Sequence, residues 1–155
     1  MNPKLLGLVE KKIEQLRHYN EITSRIIYED IDGVGELIDK RQEIVTAVDG
    51  ISMEMRSLIN EHSIERKDTI NALLCFEEIS GLTGPMLELS AKINELKELT
   101  EDVKKNDKLA VERLESIRDE LYDELTKSTK GKKVVNYFGA TAVDVKKGSK
   151  FNAAH

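Results

Sequence analysis

A single apolar stripe runs through residues 86–121 and constrains the fold of this chain more than any other feature. Its positions recur at alternating steps of three and four residues, the spacing of one face of an α-helix. They are Met86, Leu89, Ile93, Leu96, Thr100, Val103, Asp107, Ala110, Leu114, Ile117 and Leu121. Such a helix is about 54 Å long. Because most residues between these positions are Lys, Glu, Asp or Asn, the helix can bury one face only and needs other helices as partners.

Two earlier segments are predicted to supply those partners. Residues 3–28 carry an apolar stripe that the polar residues Asn20 and Thr23 interrupt. Residues 34–58 carry a cleaner stripe, in which seven of eight positions are apolar and the eighth is Arg41. The spacing is that of coiled-coil packing. Three amphipathic helices of this kind favour an elongated antiparallel bundle.

The connections between these helices are also readable in the sequence. Asp30, a good residue to begin a helix, predicts a turn near 29–31. A short additional helix is predicted over residues 68–80, and the run Gly81–Pro85 breaks the chain before the long helix begins. The fold class is therefore all-α, with a helical domain over residues 1–127.

Composition excludes several other classes of protein. Charged residues make up 34% of the chain, while the 155 residues include only 9 Gly and 2 Pro. A β-sandwich needs turn residues far more often. The single cysteine, Cys75, excludes an internal disulfide and is expected to be a small buried side chain. No membrane span and no signal peptide are apparent, so a cytoplasmic location is expected.

Catalytic and metal-binding motifs are not found in the sequence. The three histidines are far apart and lack a partner at helical spacing, which argues against a metal site and for solvated side chains. Phosphate-binding glycine loops and nucleophile elbows are missing as well. We therefore expect no enzyme activity and no cofactor. Arg25, Arg41 and the run 30–32 are similar to the start of helical chorismate mutases over fewer than twenty residues, out of register with that family's spacing, which leaves a mutase as a further alternative.

The charge of the chain is distributed unevenly. Residues 1–127 hold 18 basic and 28 acidic side chains, whereas residues 128–155 hold six lysines and one aspartate. An acidic body of net charge −10 thus precedes a basic tail of net charge +5. This asymmetry is typical of a folded body with a separate interaction segment.

The tail, residues 128–155, is the best functional candidate in the sequence. Three interpretations remain open: an unstructured basic end, a nucleic-acid arm, and a protein-binding segment with one apolar face. The absence of arginine from the tail and the acidity of the body disfavour nucleic acid. If helical, this segment places Val134, Tyr137, Phe138, Thr141, Ala142 and Val145 on one face. Partner binding is accordingly assigned to Val134, Tyr137, Phe138, Val145 and Phe151.

The order of these parts resembles the FlgN family of flagellar export chaperones over roughly residues 5–138. The resemblance rests on a leading helix, on Asn106 within the long helix, on a Tyr/Gly tail, and on the run Asp30-Ile31-Asp32-Gly33 leading to Leu37-Ile38-Asp39-Lys40-Arg41-Gln42-Glu43. It implies an all-helical cytoplasmic chaperone that binds hook-associated junction proteins, prevents their premature assembly and delivers them to the export apparatus. The resemblance implies that Val134, Val135, Tyr137 and Phe138 contact the cargo, which adds Val135 to the residues assigned to partner binding.

A generic coiled-coil adaptor or dimerisation protein is the competing hypothesis. The oligomeric state stays open, because so long a stripe can be covered within one chain or across a two-fold axis of a homodimer.

Overall fold

The computed structural model describes residues 3–127, with Ile31 described by its backbone only. This part of the chain contains four helices, α1 (Pro3–Tyr28), α2 (Ile31–Asn60), α3 (Ile64–Leu74) and α4 (Pro85–Lys127), and within residues 3–127 there is no β-strand. The predicted all-α class is confirmed. By backbone contacts the chain divides into two units, Met1–Val111 and Glu112–His155, so that α4 begins in the first unit and ends in the second.

The predicted turn between the first two helices is present. α1 ends at Tyr28, and Asp30 has extended backbone angles, φ −68° and ψ 158°, immediately before α2 begins. The side chain of Asp30 makes no capping hydrogen bond. Its carbonyl instead accepts a bond from the amide of Gly33 at 3.3 Å, so the cap comes from the backbone.

The short helix α3 begins four residues earlier and ends six residues earlier than the predicted range 68–80. It stops because Phe76 adopts a left-handed backbone conformation with φ 62°. The amide of Phe76 donates to the carbonyl of Leu73 at 2.8 Å, and the amide of Glu77 donates to that of Ala72 at 3.0 Å. These two bonds form a left-handed C-terminal cap, a position that glycine usually occupies.

All four helices contribute to one hydrophobic core in the first unit. Burial of a large aliphatic side chain typically contributes about 1.5–3 kcal/mol, so a cluster of this size dominates the stability of the unit. The cluster consists of Leu5, Leu8, Val9 and Ile13 from α1, Met55 and Ile59 from α2, Ile70 and Leu73 from α3, and Leu89, Ile93 and Leu96 from α4.

Polar contacts between α1 and α2 show in which directions these two helices run in the first unit. Lys12 of α1 contacts Ser52 of α2, while Tyr19, further along α1, contacts Arg41, which lies earlier in α2. Residue numbers therefore rise along α1 as they fall along α2. The two helices run antiparallel.

α4 runs parallel to α1 and antiparallel to α2 over residues 85–111. Near its start Lys92 lies 3.9 Å from the carboxylate of Glu10. Later in the helix Asp107 contacts both Tyr19 and Arg41. Asn106, next to Asp107, also bonds to Asn20 of α1, so polar interruptions of three different stripes lie at the same level of the first unit.

Candidate binding sites

The partner-binding residues assigned from the sequence all lie outside the described part of the chain. They are Val134, Val135, Tyr137, Phe138, Val145 and Phe151. Their assignment stays a prediction. The described residues closest to them in sequence are those of the last turns of α4.

The α4 stripe becomes exposed over those last turns. Ile117 is buried, with 6% of its surface exposed, whereas Leu121 and Leu125 are 42% and 45% exposed. Tyr122, next to Leu121 in sequence, is exposed to the same degree as Leu121. The apolar pattern therefore continues beyond the point at which its residues are covered, and it leaves an exposed apolar end that we call the α4 end, defined by Leu121, Tyr122 and Leu125.

The polar residues around the α4 end are mainly acidic. Residues 112–127 include six carboxylates and three basic side chains. Arg118 bonds to the carboxylate of its neighbour Asp119 at 3.2 Å, and Arg113 lies 3.8 Å from Glu120. Two of the three cations are thus already paired, which leaves an excess of negative charge beside the exposed leucines.

In the first unit, the partly buried side chains of Tyr19, Arg41 and Asp107 form a hydrogen-bonded cluster that joins α1, α2 and α4. The Arg41 guanidinium donates to the Asp107 carboxylate at 2.7 Å and to the Tyr19 hydroxyl. The hydroxyl in turn donates to Asp107 at 3.0 Å, and the guanidinium carbon lies 4.6 Å from the centre of the Tyr19 ring. The Arg41 side chain is only 18% exposed, and its Nε is buried without a partner in the described chain.

The chemistry of this cluster suits a structural role. Burial raises the pKa of Tyr19 above its ordinary value of 10.0, although the hydrogen bond from Arg41 opposes this effect, so the phenol is protonated at neutral pH. Next to the cluster, the side-chain amide of Asn106 donates to that of Asn20 at 2.8 Å. Directional bonds of this kind set which residues of the three helices face one another.

A cavity of about 520 Å³ is present where the four helices meet in the first unit. Its walls are mainly apolar, and its lining includes two cationic side chains, Lys12 of α1 and Arg56 of α2. Pockets that bind small molecules have volumes of about 300–1,000 Å³ and combine apolar walls with a few polar groups. This cavity has both properties.

Lys12 is half-buried at the cavity, and within residues 3–127 its ammonium has a hydrogen-bond partner but no ion-pair partner. Its ammonium donates to the Ser52 hydroxyl at 3.1 Å. Burial lowers the pKa of Lys12 below 10.5, Arg56 lowers it further, and Asp49 opposes both. Among residues 3–127 neither Lys12 nor Arg56 forms an ion pair.

A strained residue forms part of the cavity wall. Phe76 lines the cavity and is the one described residue other than glycine with a positive φ. A left-handed conformation costs such a residue roughly 1–2 kcal/mol. Strain of this kind is often found at functional sites. Cys75, next to it, also lines the cavity and is exposed, so the expectation of a buried cysteine is wrong.

The histidines and other metal-binding side chains of residues 3–127 are the remaining candidates for a site. No group of three or more metal-binding side chains occurs in this range. His18 is exposed, whereas His62 is half-buried and its Nε2 lacks a partner in the described chain, so His62 is not the solvated side chain that was expected. None of the described helices is long and apolar enough to cross a membrane.

Sequence reasoning recognised Arg41 and Asp107 as interruptions of their stripes but could not pair them. It missed Tyr19, Lys12 and the cavity entirely, since nothing in the spacing of a single helix indicates which helices meet at a given level. Comparison of the chain with protein-family models, with curated proteins and with solved structures finds no match.

Proposed function

We propose that this chain is a non-catalytic export chaperone of the flagellar type. It binds the amphipathic C-terminal helices of hook-associated junction proteins in the cytoplasm, prevents their premature assembly, and presents them to the export apparatus. A helix of this kind has an apolar face that is exposed until the junction assembles. The chaperone covers that face with an apolar surface of its own.

The exposed α4 end is the observation that carries this proposal. Leu121, Tyr122 and Leu125 lie at the end of the longest helix, and their exposure exceeds 40% in each case. A helix binds in a groove through apolar anchors three and four residues apart, and the α4 end offers anchors at that spacing. The surface lies directly before the tail, to which the sequence assigns the remaining contacts.

Charge supports a binding surface formed by the α4 end together with residues 128–155. Residues 112–127 are net acidic, whereas residues 128–155 carry six lysines. A cargo helix with charges of both signs beside its apolar face can meet both segments. Complementary charge of this kind mainly fixes orientation and speeds association.

The proposed scaffold is an antiparallel three-helix bundle of α1, α2 and α4, to which the short α3 is added. The antiparallel contacts of α2 with α1 and α4, together with the shared core, support this arrangement. In it, the Tyr19–Arg41–Asp107 cluster fixes the register of the three helices.

Homodimerisation through the α4 end is the second candidate, because exposed leucines at helical spacing also suit a coiled coil. A stable interface buries about 800 Å² on each partner. The three exposed apolar side chains of the α4 end alone fall well short of this area. Because the proposed cargo surface also includes residues 128–155, we favour a cargo partner over a second copy of the chain.

The decisive experiment measures binding of the C-terminal helical segment of a junction protein to the intact chain by titration calorimetry. The double variant Leu121→Gln plus Leu125→Gln keeps a good helix former at both positions and removes the apolar anchors. Burial of one leucine is worth about 1.5–3 kcal/mol. We therefore expect the dissociation constant to rise at least about tenfold.

The matched control is Met53→Gln plus Leu87→Gln, which removes two exposed apolar side chains from other places in the chain. Circular dichroism should give the same helical content for both variants. Equal loss of binding in the two variants, or no binding by the intact chain, would contradict the proposal. Concentration-dependent mass in light scattering that only the first variant abolishes would favour the dimer instead.

A chain ending at Lys127 tests the contribution of the tail separately. We expect weaker cargo binding, and a similar loss from Tyr137→Asp plus Phe138→Asp without a change in helical content. Binding that survives truncation unchanged would contradict the assignment of the tail residues. A loss of helical signal in the double variant would make these two residues structural.

A further inference from the structure

The cavity at the meeting point of the four helices has features that the proposed chaperone function does not use. It has a volume of about 520 Å³, and all of its lining belongs to the first unit. The α4 end belongs to the second unit. Any function of the cavity can therefore be tested independently of cargo binding.

The polar groups of the cavity favour an anion. Lys12 and Arg56 are close enough that the charge of Arg56 lowers the pKa of Lys12. Lys12 and Arg56 form no ion pair in the described chain, and although the carboxylate of Asp49 offsets part of their charge, the cavity lining itself contains these two cations and no acidic side chain. An anionic group would neutralise the remaining positive charge. The Ser52 hydroxyl, 3.1 Å from the Lys12 ammonium, supplies one more hydrogen-bonding group beside them.

The rest of the cavity lining favours a ligand with an apolar alkyl chain. Leu16, Met55, Leu74, Phe76 and Leu96 line it and come from all four helices and the α3 cap. A ligand with a charged group at both ends or along its length would leave charge against these walls at a high desolvation cost. An amphiphile with one charged end matches a lining that combines apolar side chains with the two cations Lys12 and Arg56.

We propose that this cavity binds a carboxylate with an unbranched apolar chain, of the class of medium-chain fatty acids. The ligand's carboxylate accepts hydrogen bonds from Lys12 and contacts Arg56, and its alkyl chain lies against Leu16, Met55 and Leu96. Phe76, whose backbone conformation is left-handed, also lines the site. The proposal does not rest on the chaperone function.

The test uses decanoate, decylamine and decanol as probes of equal chain length, titrated into the intact chain below their micelle concentrations. We expect calorimetric binding of decanoate, weaker binding of decanol and none of decylamine. Lys12→Met keeps the length of the side chain and removes the charge, and loss of a charge-assisted hydrogen bond should weaken decanoate about tenfold. Lys11→Met, at an exposed neighbouring lysine outside this cavity, should leave the affinity unchanged.

The reactivity of the Cys75 thiol provides a second measurement of ligand binding, and it needs no variant. It is the only cysteine in the sequence, it is exposed, and it lines the cavity. Decanoate should slow its reaction with N-ethylmaleimide several-fold, whereas decylamine should not. Mass spectrometry of the full chain measures the rate.

Three results would overturn the proposal. Equal binding of decanoate and decylamine would reduce the site to a nonspecific apolar surface. Equal affinities of Lys12→Met and Lys11→Met for decanoate, or no decanoate binding at all, would remove the carboxylate site. Slowing of the Cys75 reaction by a cargo helix but not by decanoate would make the cavity a protein-binding surface.

Discussion

Asp107→Ala is the substitution that best tests the Tyr19–Arg41–Asp107 cluster. It removes the carboxylate that accepts hydrogen bonds from Arg41 at 2.7 Å and from Tyr19 at 3.0 Å. A hydrogen bond to a charged group contributes about 1.5–3 kcal/mol, and a neutral one about 1 kcal/mol. Because Asp107 is 39% exposed, water can replace part of what is lost. We therefore expect the free energy of unfolding to fall by about 2 kcal/mol, short of the 3–5 kcal/mol typical of a fully buried pair.

Urea denaturation followed by circular dichroism measures this change, and thermal unfolding should show a decrease in Tm of about 4–8 °C. Arg41→Met removes the buried charge itself, so the double variant Arg41→Met plus Asp107→Ala should cost less than the sum of the two single changes. We expect a coupling energy of about 1 kcal/mol.

Asp102→Ala removes an exposed carboxylate from the same helix and serves as the control, with an expected change within about 0.5 kcal/mol. Equal effects of Asp107→Ala and Asp102→Ala would refute the reasoning. Strict additivity of the Arg41 and Asp107 changes would do the same, since it would show that the two side chains do not interact in solution.

Three further predictions concern single residues. At Phe76, glycine should be less destabilising than alanine by about 1 kcal/mol in urea denaturation, because its φ is 62° and glycine alone adopts this conformation without strain; alanine equal to or better than glycine would contradict the strain. Gly50→Ala should stabilise the chain by about 0.5–1 kcal/mol in the same assay, since an added methyl group at this exposed site in α2 meets no heavy atom within 4 Å. Tyr19→Phe should remove an absorbance change above pH 10.0 in an ultraviolet titration of tyrosine, because burial raises its pKa and keeps the phenol protonated to higher pH.

Much of the helical fold could be predicted from apolar spacing alone. α1 ends at Tyr28 as the turn signal at Asp30 indicated, and α4 extends over the whole of the predicted stripe. Every position of the α2 stripe is buried or half-buried, including Arg41. Spacing succeeds here because a helix long enough to make several turns repeats the same signal many times.

The short helix was predicted less well, for a local reason. α3 has only 11 residues, and its end is decided by the backbone of Phe76 in place of a glycine or proline signal. A sequence pattern assigns a left-handed cap to glycine first. That an aromatic residue forms the left-handed cap can be seen only from its backbone angles in the structure.

The candidate sites, too, could be predicted from the sequence only in part. Charge asymmetry located a tail whose six assigned residues lie outside the described range, so that assignment stays a prediction. The exposure of Leu121 and Leu125 could not be predicted, because their spacing is the same as that of the buried Leu89 and Ile93. Whether a stripe is covered depends on the residues packed against it.

By itself the sequence determined the helices, their apolar faces and the polar positions within those faces, since these depend on the periodicity of each segment. Only the tertiary structure decided that Arg41 and Asp107 meet, that Lys12 and Arg56 line the same cavity, and that the stripe of α4 is exposed at Leu121. The physical reason is that such contacts depend on the relative register of helices distant in sequence. That register is fixed by the packing of all of them together.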